Sequence, residues 1–158
     1  MILKTKRLWL RPLTDTDYPY FLDFITDKEA TQYLGLALTS STPEEIFAAL
    51  LTTNSLVKQT YAIVHQTLNH YIGYVGYEYM QEEQEIHVHW TINRTYWRQG
   101  YAKESMDSLL EQLPRPVYAY IHPLNYASKQ LATSLKMTCI NTIELIPAVY
   151  AVDQFKLD

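Results

Sequence analysis

The sequence predicts an α/β protein with a mixed sheet and helices on its faces, and three observations support that class. Several short runs alternate apolar and polar side chains, as strands do. Four longer runs repeat apolar residues every three or four positions, as helices do. Along the chain these runs give the order β-α-α-β-β-β-α-β-α-β-β. At 158 residues, one domain over residues 1–158 is expected.

A strand and two helices are predicted in the first third of the chain. Residues 5–13 alternate, which indicates a strand. Thr14 is expected to cap the first helix, with Asp17 in the capping-box position. The second helix begins at Thr42-Pro43-Glu44-Glu45, which combines a capping threonine, a proline at the first helical position and a glutamate three residues after the cap. The side chains expected to face inward are Phe21, Leu22, Ile25, Ile46, Leu50 and Leu51.

The middle of the chain predicts three strands. Residues 61–67 and 71–80, joined by a turn at Asn69-His70, are rich in Tyr, Ile and Val and indicate an antiparallel hairpin. The second run is apolar on both faces, as in a strand covered on both sides. Residues 85–92 place Ile86, Val88, Trp90 and Ile92 on one face and Glu85, His87, His89 and Thr91 on the other. Burying four polar side chains without partners is costly, so that face is expected to line a solvated cleft.

The remaining residues predict two helices and three strands. A helix over residues 102–113 is ended by the prolines that follow it, and residues 117–122 form the next strand. Asn125 is expected to cap the last helix. Residues 138–155 indicate two further strands around Pro147. The side chains expected to face inward from these helices are Ala102, Met106, Leu109, Leu110, Leu113, Ala127, Leu131 and Leu135.

Composition and charge argue against several classes of function. A net charge of −4 is unlike that of a general nucleic-acid-binding protein. Cys139 is the only cysteine, which leaves no intramolecular disulfide and no cysteine-based zinc site. His87 and His89 could hold a metal together, but a third ligand is not evident. Apolar runs are too short to span a bilayer and the N-terminus has no signal-peptide pattern, so a cytoplasmic protein is expected.

A glycine turn joins the strand at 85–92 to the next helix, within the segment TYWRQGYAKES at residues 95–105. A strand that enters a helix through such a turn exposes several unpaired N–H groups, which favour phosphate oxygens. Gly100 lets the backbone approach a ligand, Ala102 keeps the next position small, and Arg98 adds positive charge. The segment matches neither a Walker loop nor a dinucleotide fingerprint, and a plain structural turn is the alternative.

Three segments in this order, HVHWTIN, YWRQGYAKES and NYASKQLATSLKM, resemble the GNAT superfamily of N-acetyltransferases. The opening TKRLWLRPLTDTDYPYFLDFI is similar to the branch that contains the ribosomal-protein N-terminal acetyltransferases. The resemblance covers residues 4–137. It implies a mostly antiparallel sheet of about seven strands, with helices on both faces and an acetyl-CoA cleft where two parallel strands splay apart.

The chain departs from the family pattern at several positions. Arg98 and Lys136 stand where the family often has glycine, and Trp97 replaces the first basic or amide residue of the loop. Ala132 stands where many members have a tyrosine that reprotonates the thiolate of coenzyme A. The resemblance therefore predicts acyl-CoA binding more directly than it predicts a catalytic mechanism.

The resemblance implies direct transfer of an acetyl group from acetyl-CoA to a primary amine, either a protein N-terminus or a small molecule. The backbone of Trp90, Thr91 and Ile92 would then bind the pantetheine arm and polarise the thioester carbonyl. Asn125 and Ser128 would contact the pantetheine and the thiol end. The N–H groups expected to hold the pyrophosphate belong to Arg98, Gln99, Gly100, Tyr101, Ala102 and Lys103.

His87 is the candidate general base, because it lies where this branch often has a glutamate. His89 and Glu85 are the alternatives, and both histidines could equally be hydrogen-bonded residues of the cleft. Ser128 is the candidate proton donor to the thiolate, with water or Tyr126 as alternatives.

The sequence leaves the acceptor, the oligomeric state and activity itself open. The segment at residues 32–41 is expected to border the acceptor, and either a monomer or a homodimer is compatible with the sequence. Three rival functions remain: a degenerate acyl-CoA-binding protein of the same fold, an assembly module without a cofactor, and an enzyme that uses another nucleotide.

Overall fold

The computed structural model describes residues 2–34, 41–52, 57–145 and 150–158, without the side chains of residues 144, 145 and 150. The strands are β1 (Leu3–Lys4), β2 (Leu8–Pro12), β3 (Lys58–His65), β4 (His70–Met80), β5 (Glu85–Ile92), β6 (Val117–Ile121), β7 (Thr138–Leu145) and β8 (Tyr150–Leu157). The α-helices are α1 (Tyr18–Ile25), α2 (Lys28–Thr31), α3 (Pro43–Leu51), α4 (Tyr101–Leu110) and α5 (Tyr126–Ser134). Short 3-10 turns precede α1 at Asp15–Asp17 and α4 at Arg94–Tyr96.

These strands form one eight-stranded sheet in the order β1-β2-β3-β4-β5-β6-β8-β7. Every neighbouring pair is antiparallel except β5 and β6, which are parallel. The predicted α/β class and mostly antiparallel sheet are confirmed. The strand number is eight rather than about seven, because the two residues of β1 add an edge strand.

Two apolar clusters cover the two faces of the sheet. On one face, α4 and α5 pack Met106, Leu109 and Ala132 against the strands, and all three side chains are fully buried. On the other face, α1 and α3 bury Phe21, Phe24 and Phe47 against β3 and β4. The central strands are therefore covered on both sides, as the apolar pattern of β4 predicts.

The predicted first strand is wrong in its extent, because residues 3–12 form a hairpin. Leu3 pairs with Leu10, and the chain turns between them. Thr5 closes that turn: its N–H donates to the Leu8 carbonyl at 2.9 Å, and its hydroxyl oxygen accepts from the Leu8 N–H at 2.9 Å. Because Thr5 satisfies these groups locally, the chain turns here, and β1 folds back on β2 as the edge strand of the sheet.

Two helix faces also differ from prediction. In α1 the buried residues are Phe21 and Phe24, and Leu22 is only half-buried. The helix follows a 3-10 turn that places Asp17 at its N-cap, which shifts its inward face by about one position. In α5 Ala127 is exposed, while Ala132 is fully buried. Helix α2 was not predicted.

The capping box of α3 is confirmed. The Glu45 N–H donates to the Thr42 hydroxyl at 3.2 Å, and the Thr42 N–H donates to the Glu45 carboxylate at 2.8 Å. Strand β5 is confirmed over its full predicted range. Pro147, proposed as the break between the last strands, lies outside the described residues.

Candidate active site

The parallel strands β5 and β6 separate soon after they meet. Ile86 pairs with Val117 and His87 with Tyr118. The structure describes both strands in full, and no other residues of β5 and β6 are paired. By contrast, β4 pairs with β5 at every residue from Glu85 to Ile92. The second half of β5 therefore presents an unpaired edge to a gap in the sheet, which is open to a ligand with peptide-like hydrogen-bonding groups.

The backbone groups along this edge are not equally available. The Thr91 carbonyl points at β4, because a Cβ atom on Gly73 would come within 2.2 Å of its oxygen. Successive residues of a strand alternate in direction, so the backbone of Trp90 faces the gap. The carbonyl of Ile92 already accepts a hydrogen bond from the Trp97 indole at 2.6 Å. Of the three residues predicted to bind pantetheine through their backbone, Trp90 has the most open position.

A hydrogen-bonded network occupies the polar face of the sheet at the point where the strands part. His87 Nε2 lies 2.9 Å from Glu85 Oε2, and the Tyr120 hydroxyl donates to the same oxygen at 3.1 Å. The Gln154 amide donates to the Tyr120 hydroxyl at 2.8 Å, and the rings of His87 and Tyr120 lie 4.6 Å apart. Burial and the bond to Glu85 raise the pKa of Tyr120 to about 12, so its hydroxyl stays protonated and donates.

The bond to Glu85 determines which ring nitrogen of His87 carries the proton. A carboxylate can only accept hydrogen bonds, so His87 must carry its proton on Nε2 to bond Glu85. In the neutral imidazole the lone pair is then on Nδ1. Glu85 thereby orients the ring and fixes its tautomer, with Nδ1 as the accepting nitrogen.

The next polar atoms on this face, His89 Nε2 and the Thr91 hydroxyl, are buried rather than solvated. Burial lowers the pKa of His89 to about 4, and its Nε2 has no hydrogen-bond partner within the described part of the chain. The hydroxyl of Thr91 is likewise buried, next to the hydroxyl of Tyr74. The expectation that the whole face lines a solvated cleft is wrong beyond His87, because Tyr74 packs against His89 with ring centroids 5.9 Å apart.

On the opposite face, α5 approaches the gap through Ser128. The Trp90 indole donates to the Ser128 hydroxyl at 3.3 Å and so connects β5 to α5 across the gap. Asn125 caps this helix as predicted, its side-chain oxygen accepting from the Ser128 N–H at 3.1 Å. Tyr126 is exposed. The chain thus places an imidazole on one side of the gap and a hydroxyl on the other.

The loop before α4 has two left-handed residues. Gly100 has φ of +79° and forms the N-cap, and Arg98 has φ of +59°. Arg98 thus adopts the conformation that favours glycine, which is the residue it replaces in the family pattern. A Cβ atom on Gly100 would have one neighbour, Arg7 Nη2 at 3.4 Å, so the space above the loop is open.

The start of α4 presents unpaired donors to that space. Glu104 makes the first bond inside the helix, its N–H donating to the Gly100 carbonyl at 3.0 Å. The N–H groups of Tyr101, Ala102 and Lys103 precede it and have no acceptor within the helix. Lys103 is paired with Asp107 at 2.7 Å, whereas Arg98 is exposed and has no ion pair among the described residues. These donors, the helix dipole and Arg98 suit a phosphate group.

Arg7 fixes this loop from the far end of the chain. Its guanidinium donates to the Gln99 carbonyl at 2.9 Å, pairs with the Glu104 carboxylate at 2.7 Å and lies 4.4 Å from the centre of the Tyr101 ring. Hydrogen bonds from Thr5 and Arg7 hold the pKa of Glu104 below its usual value, although partial burial acts to raise it. The loop conformation therefore depends on the N-terminal hairpin.

Ala132 is fully buried in the core on the α4 and α5 face. A tyrosine at this position would not fit without displacing its neighbours, so the missing hydroxyl is part of how α5 packs here. The acceptor segment predicted at residues 32–41 lies mostly outside the described residues. Its described beginning reaches the residue that follows β6, because Tyr33 packs on His122 with ring centroids 5.0 Å apart.

Sequence reasoning missed Tyr120, Gln154, Trp97 and Arg7. Tyr120 could have been found, because β6 alternates and its tyrosines share the face of His87. The Trp97–Ile92 bond and the contacts of Arg7 with residues more than 90 positions away leave no local pattern.

None of the helices in the described part of the chain is long and apolar enough to cross a membrane. No group of three side chains suited to a metal ion occurs among the described residues.

Solved structures of acetyltransferases share the fold of this chain. An acetyltransferase of the GNAT family from Bacillus anthracis superposes with a TM-score of 0.84 at 17% identity, covering 99% of this chain and 98% of the other. RimL, a ribosomal L7/L12 alpha-N-protein acetyltransferase in complex with coenzyme A, gives 0.81 at 16% identity, covering 99% and 97%. An acetyl transferase from Salmonella typhimurium, which modifies the N-terminal serine of L7/L12, gives 0.79 at 16% identity, covering 99% and 98%. At these identities the likeness concerns the fold.

Sequence comparison identifies the family. The N-acetyltransferase YoaA of Bacillus subtilis is 28% identical over 115 residues, which cover 69% of this chain and 64% of YoaA. The model of the acetyltransferase (GNAT) domain matches residues 7–138, most of the chain, including the gap between β5 and β6 and the loop before α4. The chain belongs to the GNAT acetyltransferase family.

Proposed function

We propose that this protein is an acetyl-CoA-dependent N-acetyltransferase that transfers an acetyl group directly to a primary amine, on a protein N-terminus or a small molecule. The observation that carries the proposal is the gap between β5 and β6, which has an imidazole on one face and a hydroxyl on the other. Acetyl transfer to an amine needs a base on the side where the amine enters. It also needs a proton donor for the departing thiolate.

The residues present fit coenzyme A. The unpaired edge of β5, with the Trp90 backbone facing the gap, suits the amide groups of a pantetheine arm. The open space above Gly100 and the free donors at the start of α4 suit a pyrophosphate, and Arg98 adds a charge. When bound, acetyl-CoA supplies an acetyl group activated as a thioester.

His87 acts as the base in this proposal. Its Nδ1 removes a proton from the acceptor ammonium, and the resulting imidazolium is stabilised by the Glu85 carboxylate at Nε2. Tyr120 and Gln154 hold that carboxylate in place, so the ring does not need to reorient during the reaction. The N–H group of Trp90 polarises the thioester carbonyl from the edge of β5.

Ser128 acts on the opposite side of the gap. Its hydroxyl donates a proton to the sulfur as the carbon–sulfur bond breaks, and the proton that the newly acylated nitrogen loses returns to the hydroxyl through water. The Trp90 indole, 3.3 Å away, orients the hydroxyl. Asn125 caps α5 and thereby fixes the backbone that carries Ser128. No tyrosine on α5 is required for this arrangement.

The proposal is tested by thiol release from acetyl-CoA in the presence of a panel of amines, which includes peptides with free N-termini and alkylamines. The purified chain is expected to release thiol and to yield a mono-acetylated amine by mass spectrometry. The His87→Ala variant should lose one hundred- to ten-thousand-fold in kcat, as roughly expected for a removed base. Full turnover of that variant over the pH range of the assay would contradict the assignment of His87.

A degenerate acyl-CoA-binding protein is the second candidate, because Ala132 is packed where many members have a catalytic tyrosine. In that case acetyl-CoA would raise the midpoint of thermal unfolding, yet no amine in the panel would be acetylated. Stabilisation by about 2.7 kcal/mol is expected at a ligand concentration of one hundred times Kd, so binding and catalysis can be measured separately.

A further inference from the structure

The peptide bond between Gln99 and Gly100 has an orientation that Arg7 sets. The Gln99 carbonyl accepts a hydrogen bond from Arg7 Nη1 at 2.9 Å. In a planar trans peptide, the carbonyl and the N–H of the next residue point in opposite directions. The Gln99–Gly100 bond is trans. The Gly100 N–H therefore points away from Arg7.

This N–H is an unused donor. Gly100 is exposed, and its N–H has no acceptor within the described part of the chain. It directly precedes the three N–H groups at the start of α4, which have no acceptor inside the helix. In the reversed orientation of the peptide, the Gln99 carbonyl oxygen would replace the Gly100 N–H and would repel an anion. The bond from Arg7 to Gln99 selects the orientation that an anion needs.

Arg7 is itself anchored by several contacts. Its carbonyl accepts from the N–H of Gln66, the residue that follows β3, at 2.9 Å. Its Nε pairs with the Glu104 carboxylate at 2.7 Å, and its guanidinium lies 4.4 Å from the centre of the Tyr101 ring. That ring is only 7% exposed. Because both ends of Arg7 are held, the guanidinium cannot follow the Gln99 carbonyl if the peptide turns.

The same guanidinium neutralises a negative charge close to the free donors. Glu104 lies in the first turn of α4, where its carboxylate would repel a phosphate. This carboxylate accepts hydrogen bonds from the Arg7 N–H and Nε, both at 2.7 Å, and from the Thr5 hydroxyl at 2.6 Å. Arg7 thus pairs with Glu104 and leaves the donors of the loop to another anion.

We propose that Arg7 is a positioning residue for phosphate binding, which turns the Gly100 N–H toward the pyrophosphate of coenzyme A and neutralises Glu104 beside it. This inference rests on the proposed function, because it takes the pyrophosphate as the ligand of the loop. Arg7 acts through the Gln99–Gly100 peptide, so its guanidinium does not need to touch the ligand. The binding machinery then includes a residue 92 positions before the loop.

The test follows the amide signals of the chain labelled with a nitrogen isotope at glycine only, because the sequence has just four glycines. Gly73 and Gly76 lie in β4 and report whether the sheet is folded. The Gly100 signal, identified by its loss in Gly100→Asn, reports on the proposed bond. Coenzyme A, inorganic pyrophosphate and sodium chloride of equal ionic strength are titrated separately. We expect a saturable downfield shift of the Gly100 amide proton with the first two and none with sodium chloride.

Three variants separate the role of Arg7 from a general effect of charge. Arg7→Gln should abolish the downfield shift and raise the Kd for coenzyme A by about tenfold in calorimetry, as expected for the loss of a charge-assisted hydrogen bond. Arg115→Gln removes the same charge from an exposed position beyond the end of α4 and should change neither. Arg7→Gln combined with Glu104→Gln also removes the repelling carboxylate. We expect this double variant to regain only part of the affinity and none of the shift.

Four outcomes would overturn the proposal. These are an unmoved Gly100 signal at saturating coenzyme A, an unchanged Kd in Arg7→Gln, an equal loss in Arg115→Gln, and full recovery in the double variant. The first outcome needs no variant, so it decides even if Arg7→Gln fails to fold and displaces the Gly73 and Gly76 signals. Any of the four together with binding of coenzyme A would leave the acetyltransferase proposal intact. Absence of binding to the unmodified chain would overturn both proposals.

Discussion

The end of α5 allows a quantitative prediction about Lys136. This residue has φ of +64°, and the chain leaves the helix through two hydrogen bonds. The Met137 N–H donates to the Ala132 carbonyl at 3.0 Å, and the Lys136 N–H donates to the Thr133 carbonyl at 2.9 Å. This pair of bonds is the Schellman motif, whose left-handed position is usually glycine. Lys136 is exposed, so its side chain does not explain its presence there.

Replacing Lys136 by glycine should therefore stabilise the protein. A left-handed residue with a Cβ atom costs about 1–2 kcal/mol. Glycine gives back about 0.4–1 kcal/mol through the greater entropy of the unfolded chain. The net gain is about 0.5–1 kcal/mol, which corresponds to roughly 1–4 °C in Tm for a chain of this size.

Lys136→Ala is the matched control, because it removes the same charge and side chain but keeps the Cβ atom. Thermal and urea unfolding of the two variants should show Lys136→Gly above Lys136→Ala by that margin. Both variants lose any favourable interaction of the lysine with the helix C-terminus, so the comparison isolates the backbone. If the two variants unfold at the same midpoint, the left-handed conformation of Lys136 carries no strain and the reasoning is refuted.

Three further predictions concern the candidate active site. Burial lowers the pKa of His89 to about 4 in the folded protein. As the pH falls, His89 is therefore protonated in the unfolded state before it is protonated in the folded state. The free energy of unfolding should thus decrease from about pH 6.5 to about pH 4, by at most about 1.4 kcal/mol per unit, and His89→Asn should flatten this slope in urea titrations. Gly100→Val should raise the Kd for coenzyme A at least tenfold by calorimetry, about 1.4 kcal/mol, because the side chain fills the space above the loop; an unchanged Kd would refute the phosphate assignment. Ser128→Ala should lower kcat more than it raises Kd for acetyl-CoA, and intact turnover would remove Ser128 from the mechanism.

Local patterns predicted the elements whose bonds are local. The capping box of α3 and the alternation of β5 are properties of neighbouring residues, and both are confirmed. The inward face of α1 was misjudged because the 3-10 turn before it shifts the register, and sequence alone does not separate a 3-10 turn from a first turn of α-helix.

Two kinds of feature could not be predicted from the sequence: residues other than glycine in left-handed conformations, and contacts between residues on different strands. Arg98 and Lys136 adopt left-handed conformations that are recognised from sequence only when glycine is present. The network of Glu85, His87, Tyr120 and Gln154 joins three strands, and the tautomer of His87 follows only from the distance between its Nε2 and the Glu85 carboxylate. The burial of His89 is set by Tyr74, which alternation places on the same face without showing how closely the rings pack.

The short contact between β5 and β6 has a mechanical consequence. The sheet consists of a five-stranded part, β1 to β5, and a three-stranded part, β6 to β8, and their strands are joined by the two residue pairs at Ile86 and His87. Amide hydrogens in β6 and along the free edge of β5 should therefore exchange with solvent earlier than those between β3 and β4. A ligand that bridges the gap would supply the missing hydrogen bonds of a strand, so its binding should slow exchange on both sides at once and make the two parts unfold as a single unit.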